Sequence, residues 1–181
     1  MLFVSSLTMA QNTSSSIRKK NIRQVEQKLF DYKDGKETFV RWSLDEYDNK
    51  GRIITEKELN ADSTFKVYET FKYDKKNRII LHSEFDKLGN LKRKTATDFD
   101  NMNDRKEEQV FNSNNEMIEI TRFTYDSFGF KTQEITYKPN GLTVTKRILY
   151  KYDSKGSLIE RKIYNDREEL IQIRNYMIKY N

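Results

Sequence analysis

The chain has 181 residues, 35% hydrophobic and 34% charged, with 34 basic and 28 acidic side chains giving a net charge of +6; that length suits one ordinary domain or a single repeat array. Such polarity would suggest disorder, but 13% aromatic content with 11 Tyr and 11 Phe marks an ordered chain. The lack of Cys excludes disulfides, thiolate nucleophiles and Cys-ligated zinc, and the interleaving of both charge signs without a basic stripe argues against nucleic-acid binding.

Residues 1–10, M-L-F-V-S-S-L-T-M-A, change abruptly to Q-N-T-S-S-S. The T-M-A ending has the small-x-small form that precedes a signal-peptidase site, with the basic n-region and half of the apolar h-region missing, so the expectation is a signal peptide truncated at its N-terminus. That places the protein in the periplasm or outside the cell; a frayed apolar terminus of a cytosolic protein is the alternative. No other apolar run approaches the roughly 20 residues of a membrane-spanning helix, so no transmembrane span is expected. A polar segment, 11–28, follows. Ile22, Val25 and Leu29 would suit a short helix, but Phe30 and Tyr32 repeat the spacing of Phe71 and Tyr73, which favours a first strand over 24–30.

From residue 29 to 181 the chain repeats itself. An aromatic side chain precedes each turn signal: Tyr32, Tyr47, Tyr73, Phe85, Phe99, Phe111, Tyr125, Tyr137, Tyr152 and Tyr164, with Leu59 in the same role and Tyr176 as a further candidate. The intervals alternate between 12 and 14 residues, a 26-residue period, except for two of 15, Tyr32 to Tyr47 and Tyr137 to Tyr152. Asp or Asn follows most anchors, and Gly or Asn stands four residues after them, as at Gly51, Asn77, Gly89, Asn103, Asn115, Gly129, Gly141 and Gly156. Asp and Asn open a turn by bonding their own backbone, and Gly and Asn tolerate the left-handed conformation that closes it.

Between turns the pattern alternates as a strand does, with Val144, Ile148, Tyr150 and Tyr152 assigned to one side. The expectation is an all-β fold, an elongated, twisted single antiparallel sheet built as a β-meander of tandem hairpins. Twelve turns imply about thirteen strands, about 60 Å of sheet at roughly 4.8 Å per strand. Intervals of 12 and 14 preserve side-chain parity, so each 15-residue interval requires a bulge or an altered turn.

The motifs Y-D-N-K-G-R-I over 47–53, F-K-Y-D-K-K-N-R-I over 71–79, T-Y-D-S-F-G over 124–129 and Y-K-Y-D-S-K-G over 150–156 resemble the YD repeat of Rhs-type polymorphic toxins and related secreted proteins. The resemblance implies β-hairpin repeats and a cell-envelope or secreted setting for a short exported member. The family's repeat is nearer 20 residues than 26, and these few units are too few to close the shell that large members build around a toxin. Encapsulation is therefore not implied.

Reaction chemistry is not legible. His82, the single histidine, has Ser83 and Glu84 beside it in sequence, but neighbouring strand residues point to opposite faces, so no nucleophile relay is expected. The segment D-F-D-N-M-N-D over 98–104 offers oxygen ligands but lacks the Gly and terminal Glu of an EF-hand loop. No catalytic residue, cofactor or metal site is expected. Trp42 and Tyr68 are the candidate binding surface, as rings able to anchor an extended partner. The expected function is a non-enzymatic scaffold that binds a protein or a cell-surface glycan at the envelope or outside the cell. The alternative is a cytosolic antitoxin or immunity-like protein that binds a toxin.

Overall fold

The computed structural model describes residues 21–180, as β-strands joined by tight turns. The signal-like stretch 1–10 lies outside the described residues. A first unit, ending at Lys92, contains β1 (Gln24–Lys33), β2 (Lys36–Tyr47), β3 (Ile53–Asn60), β4 (Phe65–Tyr73), β5 (Ile79–Phe85) and the first residues of β6 (Leu91–Phe99). A second, from Arg93, holds the rest of β6, then β7 (Arg105–Phe111), β8 (Met117–Tyr125), β9 (Lys131–Tyr137), β10 (Val144–Tyr152), β11 (Leu158–Tyr164) and β12 (Leu170–Asn175). Strand order in the sheet is chain order, the antiparallel meander expected from the repeat. β1 begins at Gln24, five residues ahead of the repeat boundary read at residue 29.

Turn chemistry recurs from hairpin to hairpin. At the β2–β3 turn the Gly51 amide donates to the Asp48 carbonyl, while Asp48 Oδ1 accepts the amides of Lys50 and Arg52. Asp74, Asp86, Asp100, Asn112, Asp126, Asp153 and Asn165 use their side-chain oxygen in the same way. Every Gly or Asn read as a turn closer has positive φ. Ser63 (φ 66°) and Glu168 (φ 61°) occupy the same position without the residue type that favours it. The first turn differs: Asp34 and Gly35 both have positive φ between the paired Lys33 and Lys36, the two-residue connection that a D-G dipeptide favours.

Beside most of the other turns lies a one-residue bulge that periodicity alone did not reveal. Tyr47 pairs with Ile53 and Glu46 with Thr55, leaving Ile54 unpaired, and Tyr125 pairs with Lys131 and Thr124 with Gln133, leaving Thr132 unpaired. The two 15-residue intervals are resolved as parity required. Val40 is extra opposite the Leu29/Phe30 step, and the β9–β10 connection both lengthens, with the Lys138 amide bonding the Thr143 carbonyl, and bulges at Thr145. That last bulge corrects one assignment: Val144 pairs with Tyr137 and Ile148 with Glu134, so Val144 lies on the face opposite Ile148.

The strand count is also corrected. Twelve strands, not thirteen, are formed by the described residues, because the chain leaves the sheet after Asn175. Tyr176 opens no further hairpin. Its amide still bonds the Ile159 carbonyl, and the segment then turns back so that the Tyr180 hydroxyl meets Asp153 Oδ2 at 2.6 Å and Ser157 Oγ at 2.7 Å.

Few side chains are fully buried. The apolar core is Leu44 and Tyr47 in the first unit and Val110, Ile120 and Ile148 in the second. Cohesion comes instead from cross-strand contacts, each worth about 0.2–1 kcal/mol. Cations lie over rings repeatedly, as with Lys57 over Tyr68 and Arg122 over Tyr137.

Candidate functional site

The anchors divide by strand parity. Tyr47, Tyr73, Phe99, Tyr125 and Tyr152 close even-numbered strands, whereas Phe85, Phe111, Tyr137 and Tyr164 close odd-numbered ones. Tyr32, 73% exposed, is the one anchor that solvent surrounds. Three of the four tyrosines that close even-numbered strands reach back to the preceding turn at the same end: Tyr73 donates to the Ile53 carbonyl, Tyr125 to that of Arg105 and Tyr152 to that of Lys131, at 2.7, 3.0 and 2.9 Å; the Tyr47 hydroxyl instead donates to Asp45 Oδ2. Burial raises the pKa of all three phenols, so they remain donors at neutral pH.

In the first unit an arginine completes this link. Arg52 pairs with Asp48, lies 4.4 Å from the Tyr73 ring centroid and donates to the Asp74 carbonyl and Asn77 Oδ1 of the next turn. At the β8–β9 turn of the second unit the residue four after Asp126 is Phe130, whose ring packs on Tyr152 at 5.0 Å. Aligning the repeats in phase, Arg52 with Phe130, is the signal that would have exposed this position.

Two open grooves are lined by the Phe130 ring. One, of about 460 Å³, is lined by Phe99, Tyr125, Phe130 and Tyr152 with Asp104, Arg105 and Lys131. The other, of about 600 Å³, shares Phe130 and Tyr152 and adds Phe128, Tyr150, Ser154 and Lys155 among others. Phe128, at the tip of the β8–β9 turn, is 84% exposed.

Trp42 and Tyr68 fall on one face of the first unit. Trp42 pairs with Leu59, Lys57 pairs with Tyr68, and Lys57 and Leu59 are two residues apart on β3. Both rings are engaged: the Trp42 indole N–H donates to Glu26 Oε1 at 2.7 Å, and Tyr68 stacks on Phe85 at 4.2 Å with Phe65 at 4.9 Å.

The opposite face of that unit carries a row of acids that sequence reading did not assemble. Asp45 pairs with Glu56, Glu56 with Glu69, and Glu69 with Glu84. Burial pushes the Asp45 carboxyl up, against the Tyr47 hydroxyl that bonds it. Burial and the charges of Asp45, Glu69 and Glu58 push Glu56 up as well. The two are displaced in the same direction, not split into an acid and a base. His82 meets Glu69 Oε2 at 2.8 Å and stacks on Phe71 at 4.9 Å, which accounts for its conformation without a reaction. In the 98–104 segment, Asp100 Oδ1 is occupied by the Met102 and Asp104 amides. Among the described residues no group of three or more His, Asp or Glu is arranged to hold a metal ion, and no helix is long and apolar enough to cross a membrane.

No family model and no curated protein matches the chain. Solved structures do, at low identity. The TcdB2-TccC3 protein is 11% identical over 86% of this chain and 10% of its own, with a TM-score of 0.35. A porin-like protein from Bacteroides uniformis is 11% identical over 87% of this chain and 86% of its own, with a TM-score of 0.36. The Photorhabdus luminescens Tc holotoxin pore is 11% identical over 83% of this chain and 10% of its own, with a TM-score of 0.28. The chain therefore spans about a tenth of the toxin chains it is similar to.

Proposed function

We propose that this chain is a non-enzymatic β-repeat binding protein, exported to the envelope or beyond it, that takes a protein or a cell-surface glycan. The observation that carries this reading is the pair of ring-lined grooves sharing Phe130 and Tyr152. Open surfaces with aromatic floors and charged rims suit extended partners. The same-face placement of Trp42 and Tyr68 beside Lys28 and Lys57 offers a second surface of that kind. The in-phase Y-D-x-x-G turns support a reading as a short relative of the YD-repeat proteins, and the apolar-to-polar change after residue 10 supports export.

The test is affinity capture from envelope and cytosolic extracts of the native host, with residues 11–181 as bait beside its Trp42→Ala, Tyr68→Ala and Phe128→Ala variants. A stoichiometric envelope ligand, lost from one of the variants whose circular dichroism is unchanged, is the expected result. Retention by all three variants would overturn the surface assignment. Capture from cytosol alone would overturn the export.

A further inference from the structure

We propose that the protein forms a twofold homodimer in which β1 pairs antiparallel with β1 of a second copy, Glu26 of each chain lying opposite Lys28 of the other. The inference does not depend on the binding reading above. Among the described residues no strand pairs with the outer edge of β1. Elsewhere the closing residue of an odd-numbered strand is met by a side chain from the strand before it. Trp42 of β2 lies opposite Leu59, Tyr68 of β4 stacks on Phe85, and Lys94, Arg122 and Arg147 of β6, β8 and β10 lie over Phe111, Tyr137 and Tyr164. Tyr32 holds the equivalent position on β1 but has no such strand among the described residues, and it is 73% exposed. The repeat is thus left open on one side where it otherwise packs, and a strand added to that edge would complete it.

Register and charge identify that strand as a second β1. The Tyr47 amide bonds the Arg23 carbonyl at 2.8 Å, so Arg23, Val25, Gln27 and Leu29 turn their backbone groups toward β2, and Gln24, Glu26, Lys28 and Phe30 offer theirs outward. Two copies can therefore pair only with even-numbered residues opposite even-numbered ones, and residues directly opposite share a face. One such register sets Glu26 opposite Lys28, Arg23 opposite Asp31, Val25 opposite Leu29 and Ile22 opposite Tyr32, each twice about the axis. Sliding it by one permitted step puts Glu26 on Glu26 in one direction and Lys28 on Lys28 in the other, like charges that oppose pairing. The other unpaired edge, β12, carries a single charged residue, Arg174, so head-to-tail pairing of β1 with β12 would match at most one of Arg23, Glu26, Lys28 and Asp31. Only self-pairing matches all four.

Sedimentation velocity of the full chain from micromolar to millimolar concentration is the test, with a thermal melt to show that each variant is folded. The wild type should pass from monomer to dimer and stop there. Lys28→Glu and Glu26→Lys each set like charges opposite one another in both copies of the pair, and each should weaken the dimer about tenfold or more. An equimolar mixture of the two variants should dimerise again, because every Glu then faces a Lys across the contact. The mixture still lacks the Trp42 bond to Glu26 in one of its chains, so recovery reports charge pairing at the interface and not repair of the fold. A monomer at every concentration, association that grows past the dimer, a dimer indifferent to both single variants, or two weakened variants that the mixture fails to restore would each overturn the proposal.

Discussion

Gly156→Ala should destabilise the second unit far more than Gly129→Ala, although the two glycines hold equivalent turn positions. Their φ angles are +80° and +84°, so an alanine at either meets the same left-handed strain, about 1 kcal/mol. Around Gly129 nothing lies within 4 Å of an added Cβ. At Gly156 that Cβ would stand 2.5 Å from Phe130 Cζ and 3.0 Å from its Cε1. The ring cannot yield freely, since it packs on Tyr152 at 5.0 Å. Overpacking of this kind costs about 1–3 kcal/mol more. The expected losses are therefore about 1 kcal/mol for Gly129→Ala and about 2–4 kcal/mol for Gly156→Ala. Urea unfolding followed by circular dichroism measures both, and the comparison of two closely related variants tolerates the gradual transitions of repeat arrays. Adding Phe130→Leu should recover most of the excess in Gly156→Ala and nothing in Gly129→Ala. Equal midpoints for the two alanine variants, within about 0.5 kcal/mol, would refute the ring as the cause.

Ser63→Gly should stabilise the first unit by about 0.5–1 kcal/mol, because Ser63 holds φ of 66° at an exposed turn position that glycine adopts without strain; thermal melting reports the gain. Arg52→Ala removes the ion pair with Asp48, the stack on Tyr73 and the bonds to the following turn, and should cost about 1–2 kcal/mol in urea denaturation, with Arg52→Lys between the two. Glu56→Gln should raise stability at pH 7. Burial and its acidic neighbours hold the folded carboxyl above the ordinary glutamate range, so the native state binds protons more readily than the unfolded chain, and the penalty is absent in acid and grows as pH rises through the folded pKa. Denaturation midpoints from pH 4 to 8 should show the variant's advantage shrinking as pH falls; an advantage independent of pH would contradict the assignment.

The turns were legible because their chemistry is local. An Asp or Asn that bonds amides two and four residues onward, and a Gly or Asn at the left-handed position, declare themselves in a dozen residues. Ser63 and Glu168 escaped because the hairpin imposes the conformation there against residue preference. The bulges at Ile54 and Thr132 were hidden in plain periodicity: one occurs beside most turns, so the intervals stay even. Only the extra residues, Val40 and Thr145, left a trace as odd intervals. The Tyr180 contact with Asp153 could not be read at all, since it follows from the chain leaving the sheet after Asn175. Trp42 and Tyr68 were foreseen as rings, and register alone put them on one face. Neither the acidic row from Asp45 to Glu84 nor the sharing of Phe130 by two grooves could be counted out, because both depend on which residues the register places opposite one another.

The central claim, that this repeat sheet is a binding surface, is tested most directly by an amide hydrogen-exchange footprint of the chain alone and with its captured envelope ligand. The account predicts added protection concentrated in the turns around 99–105, 125–131 and 150–156, or across the strands that carry Trp42 and Tyr68. Exchange unchanged on addition of the ligand, or slowed only in segments remote from both surfaces, would contradict it.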